Sequence, residues 1–69
     1  MTQHERILNF IDAHGSITAM EAFTELGITK LATRISELSA LGVRFEKVRV
    51  ESENRFGDKV RFTRYFRKA

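Results

Sequence analysis

Residues Gly15–Gly42 read GSITAMEAFTELGITKLATRISELSALG, two helical patterns punctuated by three glycines. In the first, Thr18 and Glu21 have the spacing of a capping box, in which the threonine hydroxyl accepts from the Glu21 N–H and the carboxylate reaches back. Met20, Ala22, Phe23 and Leu26 follow as an apolar face, so a short helix over 19–26 is predicted, ending at Gly27. In the second pattern Leu31, Ile35 and Leu38 recur at i, i+4 and i+7. With Thr29 as N-cap and Gly42 as stop, they predict a helix over 30–41. A helix, a tight turn and a second helix are therefore expected at the centre of the chain.

The flanks complete the pattern. Upstream, Thr2 and Glu5 form another capping box, and Ile7, Leu8, Phe10 and Ile11 predict a helix over 3–14 that stops at Gly15. Ser16-Ile17 leaves room for only a short bridging strand. Downstream, VRFEKVRV and KVRFTRYF are rich in β-branched and aromatic residues and predict a hairpin over 43–66. A three-residue loop at Arg55-Phe56-Gly57 places the glycine in the left-handed position such loops require. It also sets Asn54 opposite Asp58, Glu53 opposite Lys59, Glu51 opposite Arg61 and Val50 opposite Phe62. Opposite charges then share one face and apolar groups the other, whereas a register slipped by one residue loses both advantages.

Within the first strand Val43 and Phe45 share one parity while Val48 and Val50 share the other. If all four must face one core, a bulge or bend near Glu46-Lys47 is needed. In the second strand Val60, Phe62 and Phe66 are expected to cover the core, with Arg61, Thr63 and Tyr65 outside. Helix, short strand, helix, helix, strand, strand is the order of an α+β winged helix-turn-helix: three helices and a two-stranded wing.

With 69 residues and no linker-like segment, one domain over 1–69 is expected. The absence of cysteine leaves packing and hydrogen bonding to hold it. The charge is polarised: residues 1–42 carry three basic and five acidic side chains, residues 43–69 nine basic and four acidic. Clustered Lys and Arg of this kind suit a polyanion, because they displace the counterions condensed on nucleic acid. The start of the chain lacks a signal-like pattern, and no apolar run approaches the roughly 20 residues of a bilayer span. A cytoplasmic protein without a membrane partner is expected.

The block GSITAMEAFTELGITKLATRISELSALG, followed by NRFGDKVRFTRYF, resembles the small winged helix-turn-helix domains common in bacteriophages and prophages. The resemblance spans nearly the whole chain. It implies double-stranded DNA as partner and a role as transcriptional regulator or excisionase-like architectural factor. The chain departs from the pattern at Ser39-Ala40-Leu41, where many such helices carry basic residues.

In the winged helix mode the helix at 30–41 enters the major groove and the hairpin lies on backbone or a neighbouring groove. Projection at about 100° per residue puts Thr33, Glu37 and Ala40 opposite the apolar stripe, flanked by Lys30 and Ser36. Thr33 and Ser36 suit either donor or acceptor base edges, Ala40 a thymine methyl and Glu37 the cytosine N4. Thr29 and Lys30, at the helix N-terminus, suit phosphate. Arg34, on the shoulder of the stripe, has two readings of equal weight: a contact to guanine or phosphate, or an ion pair with Glu37 or an acid of the second helix. On the wing, Arg55 suits a narrow minor groove, while Lys47, Arg49, Lys59 and Arg61 suit the backbone. Arg64, Arg67 and Lys68 either extend this patch or form a solvated tail.

The sequence predicts no enzyme, cofactor, metal or small-molecule ligand. His4 and His14 miss the i, i+4 spacing of a helical ligand pair and are expected at the surface. No serine has an evident base, and the glycines do not form a phosphate loop. Two classes of partner remain: duplex DNA, with self-association or cooperative binding at adjacent sites, or a host or phage protein on which the module docks.

Overall fold

The computed structural model describes residues 1–68; Ala69, the last residue of the predicted domain, lies outside the described residues. The chain forms α1 (Gln3–His14), β1 (Ile17–Thr18), α2 (Ala19–Leu26), α3 (Leu31–Ala40), β2 (Phe45–Glu53) and β3 (Lys59–Arg67). The strands make one antiparallel sheet in the order β1-β3-β2. The wing is thus not a free two-stranded ribbon, because β1 adds a third strand along its base.

Both predicted capping boxes are present. Thr2 and Thr18 accept from the Glu5 and Glu21 N–H groups at 3.1 and 3.2 Å, and each glutamate accepts from the backbone of its threonine. The start of α3 differs from expectation. Its N-cap residue is Lys30, with no side-chain cap, so Thr29 lies one position before it. The cause is Ile28, which is 1% exposed and anchors the turn into the core, delaying the helix to Leu31. At the other end Val43 N–H reaches Leu38 O at 3.0 Å and Gly42 N–H reaches Ser39 O at 3.1 Å, a Schellman arrangement with Gly42 at φ +102.

The core is built from the three helices, β1 and the turn: Ile7 and Ile11 of α1, Ile17 of β1, Ala22 of α2, Ile28 of the turn, and Leu31, Ile35 and Leu38 of α3. Leu8, Phe10, Leu26, Val43, Phe45 and Tyr65 pack around it half-buried. Met20 and Phe23 do not join, although the helical pattern put them on the apolar face; they are 69% and 58% exposed. An eight-residue helix has little more than two turns, and Ala22 with Leu26 already fill its contact with α1 and α3.

The hairpin register is the predicted one: Glu53 faces Lys59, Glu51 faces Arg61 and Val50 faces Phe62. It runs unbroken from Phe45↔Arg67, so of the bulge or bend that the sequence predicts near Glu46-Lys47, no bulge interrupts the pairing. The expected faces are also reversed, since Phe45 and Tyr65 pack on the core while Val60 and Phe62 lie on the opposite side. The reason is length. A nine-residue strand spans about 30 Å, more than the 21–22 Å short dimensions of the molecule. Only the base of the hairpin meets the core, and Val48 and Val50 need no parity switch because they lie beyond it, on the face opposite Phe45 and Tyr65.

Candidate nucleic-acid interface

The outer surface of α3 is small and polar. Thr29, Lys30, Thr33, Ser36 and Ala40 are exposed, as are Ala32 and Ser39 beside them. The buried stripe of Leu31, Ile35 and Leu38 fixes that orientation by packing against α1 and α2.

Arg34 and Glu37 are turned aside. Arg34 Nε lies 3.3 Å from Glu37 Oε1, and the same oxygen is 2.8 Å from His4 Nε2 on α1. The Arg34 Nε is buried without a hydrogen-bond partner, so its contact with Glu37 is Coulombic rather than a directed bond. Of the two sequence readings of Arg34, the ion pair with Glu37 is the arrangement present. His4, expected at the surface, is half-buried against α3. His14 is exposed and stacks on Phe10 at 4.3 Å.

On the wing, side chains alternate across the sheet. Lys47, Arg49, Glu51 and Glu53 of β2 share a face with Lys59 and Arg61 of β3, and all are exposed. Glu51 pairs with Arg61 at 3.1 Å. The loop between the strands is organised by Asn54. Its Oδ1 accepts from the Phe56 and Asp58 N–H groups at 2.9 and 3.1 Å, and its carbonyl accepts from Gly57 N–H at 3.0 Å. Gly57 has φ +80, the left-handed conformation expected of it.

This loop presents Arg55 and Phe56 together, the guanidinium 5.7 Å from the ring centroid and the ring 79% exposed. Phe56 is a tip residue that a strand-face reading misses, because inside a three-residue loop there is no alternation to place it. The signal was the loop assignment itself.

The basic residues of β3 divide into two groups. Arg64 donates to Ser16 Oγ at 2.9 Å and approaches Glu21 at 3.4 Å, tying β3 to the start of α2. Arg67 stands 3.8 Å from Asp12 on α1. These two serve the body of the fold, whereas Lys59 and Arg61 lie outward on the wing, with Arg55 of the loop beyond them. Among the described residues no cluster of His, Asp or Glu could hold a metal ion, and no helix is long and apolar enough to cross a membrane.

Three helices, the second and third joined by a tight turn, with a three-stranded sheet whose last two strands form a projecting hairpin, define a winged helix-turn-helix protein. A family model described as a winged helix-turn-helix domain matches residues 2–68, and the chain belongs to that family. Membership points to DNA binding in general. No curated protein and no solved structure matches the chain.

Proposed function

We propose that this protein binds double-stranded DNA with α3 in the major groove and the wing on the backbone and minor groove. The role that fits is of phage or prophage type, as a transcriptional regulator or excisionase-like architectural factor. The observation that carries this reading is the outer face of α3 and of the turn before it: exposed Thr29, then Thr33, Ser36 and Ala40, with the one carboxylate of that helix occupied by Arg34 and His4. A bare glutamate there would repel phosphate; a paired one leaves a surface of hydroxyls and a methyl that fits against base edges. Lys30 and the uncapped N–H groups at the start of α3 suit phosphate. Lys47, Arg49, Lys59 and Arg61 supply the electrostatic grip, and Arg55 over Phe56 supplies a tip for a narrow groove.

Selection of bound duplexes from a random pool, followed by salt titration of the enriched sequence, tests the reading. Neutralising about five phosphates gives a slope of log K against log salt of roughly −4 to −5. Enrichment of one motif indicates a regulator or excisionase, and tight binding without a motif an architectural protein. A slope near zero rejects the proposal. A single module covers roughly 600–1,000 Å² of DNA interface, so strong specificity calls for two copies or adjacent sites.

A second reading, docking on a host or phage protein, is favoured by one observation. Met20, beside Val60 and Phe62, lines an open apolar groove between α2 and β3, and Phe23 is exposed on the same helix. Under this reading the selection yields no bound duplex at all, and Met20→Ser with Phe23→Ser abolishes partner capture without unfolding the chain.

A further inference from the structure

The sheet has one long open edge. β2 is its outermost strand, and among the described residues its nine residues pair only with β3. The ladder shows which backbone groups are spare. Asn54 N–H donates to Asp58 O at one end of the register, and Lys68 N–H donates to Arg44 O at the other. The register between them is continuous. Even-numbered residues of β2 are therefore hydrogen-bonded to β3, and the N–H and C=O groups of Phe45, Lys47, Arg49, Glu51 and Glu53 point away to the open edge.

We propose that this edge is a homodimer interface, in which β2 of one copy pairs antiparallel with β2 of a second copy about a twofold axis at Val50. Only registers that set odd residues against odd residues use the spare backbone groups. Among these, the register centred on Val50 places Arg49 opposite Glu51 of the second copy and Lys47 opposite Glu53 of the second copy, each twice by symmetry. Val50 meets its own equivalent, and Val48 meets Ser52. Centring on Arg49 sets that arginine against itself, centring on Glu51 sets two glutamates together, and centring on Val48 sets Lys47 against Arg49. Like charges directly opposite are destabilising, so one register stands out.

The intramolecular pairs extend the same pattern. Glu51 already has Arg61 on its β3 side and Glu53 faces Lys59. The open side of each glutamate then receives a second basic group, giving rows Arg61–Glu51–Arg49 and Lys59–Glu53–Lys47 across the joined sheet. The free part of the opposite edge, on β3, offers Lys59, Arg61 and Thr63, and self-pairing there supplies no acid to match the two basic groups. The partner that fits β2 is a second copy of this chain, and the antiparallel arrangement leaves the two helical bodies at opposite ends. This inference does not depend on DNA as ligand.

Sedimentation equilibrium of the full chain over a concentration series tests it. The native chain is expected to dimerise reversibly. Arg49→Glu and Glu51→Arg each turn two attractive pairs into repulsive ones and are expected to weaken dimerisation about tenfold or more. An equimolar mixture of the two variants restores opposite charges at both contacts and is expected to dimerise again. Arg49→Pro removes an N–H that β3 does not use, so it is expected to keep the native circular dichroism while remaining monomeric. This variant decides the matter if Glu51→Arg disturbs the hairpin. A native chain monomeric up to about 1 mM, dimerisation of Arg49→Pro at native strength, or failure of the mixture of two folded variants to associate overturns the proposal.

Discussion

His4 Nε2 of α1 lies 2.8 Å from Glu37 Oε1 of α3, and through that oxygen the first helix and the candidate reading helix share a charge. Glu37 also stands 3.3 Å from Arg34, so its carboxylate looks along the protein surface toward α1 and not straight out. Replacing Glu37 with Gln keeps the shape and removes the charge. Partly exposed pairs of this kind contribute about 0.2–1 kcal/mol, so thermal melting is expected to move little. Under the DNA reading, affinity for non-specific duplex rises and the salt slope steepens, because Arg34 is released toward phosphate. Unchanged DNA affinity with lowered stability would make the contact purely structural.

Arg64 and Arg61 are three residues apart and have different work. Arg64 is half-buried between Ser16 and Glu21, while Arg61 is exposed on the wing beside Glu51. Arg64→Ala is expected to cost about 1–2 kcal/mol in chemical denaturation, since it loosens a charge-assisted tie between β3 and α2. Arg55→Ala with Arg61→Ala is expected to leave stability within about 1 kcal/mol and to weaken duplex binding measured by gel retardation. Equal effects of both changes on stability would mean that the division of the basic patch is mistaken.

Asn54 holds the wing tip through two hydrogen bonds from one side-chain oxygen. Asn54→Ala is expected to destabilise the hairpin by about 1 kcal/mol. Amide exchange at Phe56 and Asp58 reports the loosening directly. If protection at both amides is unchanged, the loop is held by its backbone alone.

Ile35 is 1% exposed at the centre of α3. Ile35→Ala is expected to cost about 2–5 kcal/mol as a buried truncation, a large share of the stability a domain of this size can have. Urea denaturation monitored by circular dichroism measures it. A variant that melts like the native chain would put the wrong face of α3 inward.

The local features of this fold were legible in the residues. Thr2 with Glu5 and Thr18 with Glu21 announce two helix starts because a capping box is closed within four residues of chain. Gly57, with Glu53 and Glu51 matched to Lys59 and Arg61, announces the hairpin and its register because cross-strand pairs constrain each other through one short loop. Leu31, Ile35 and Leu38 reveal the outer face of α3 because helical periodicity leaves no other buried stripe.

Tertiary structure decided which face of that hairpin is covered and how each charge is spent. Tyr65 rather than Phe62 meets the core because β1 docks beside β3 and pairs Ile17 with Tyr65, a contact between residues 48 positions apart. Arg34, Glu37 and His4 form one cluster only once α1 packs on α3. Periodicity says which side chains lie together on an element. What lies opposite that element is set by long-range packing, and there Met20 and Phe23 were left outside while Arg64 was drawn in.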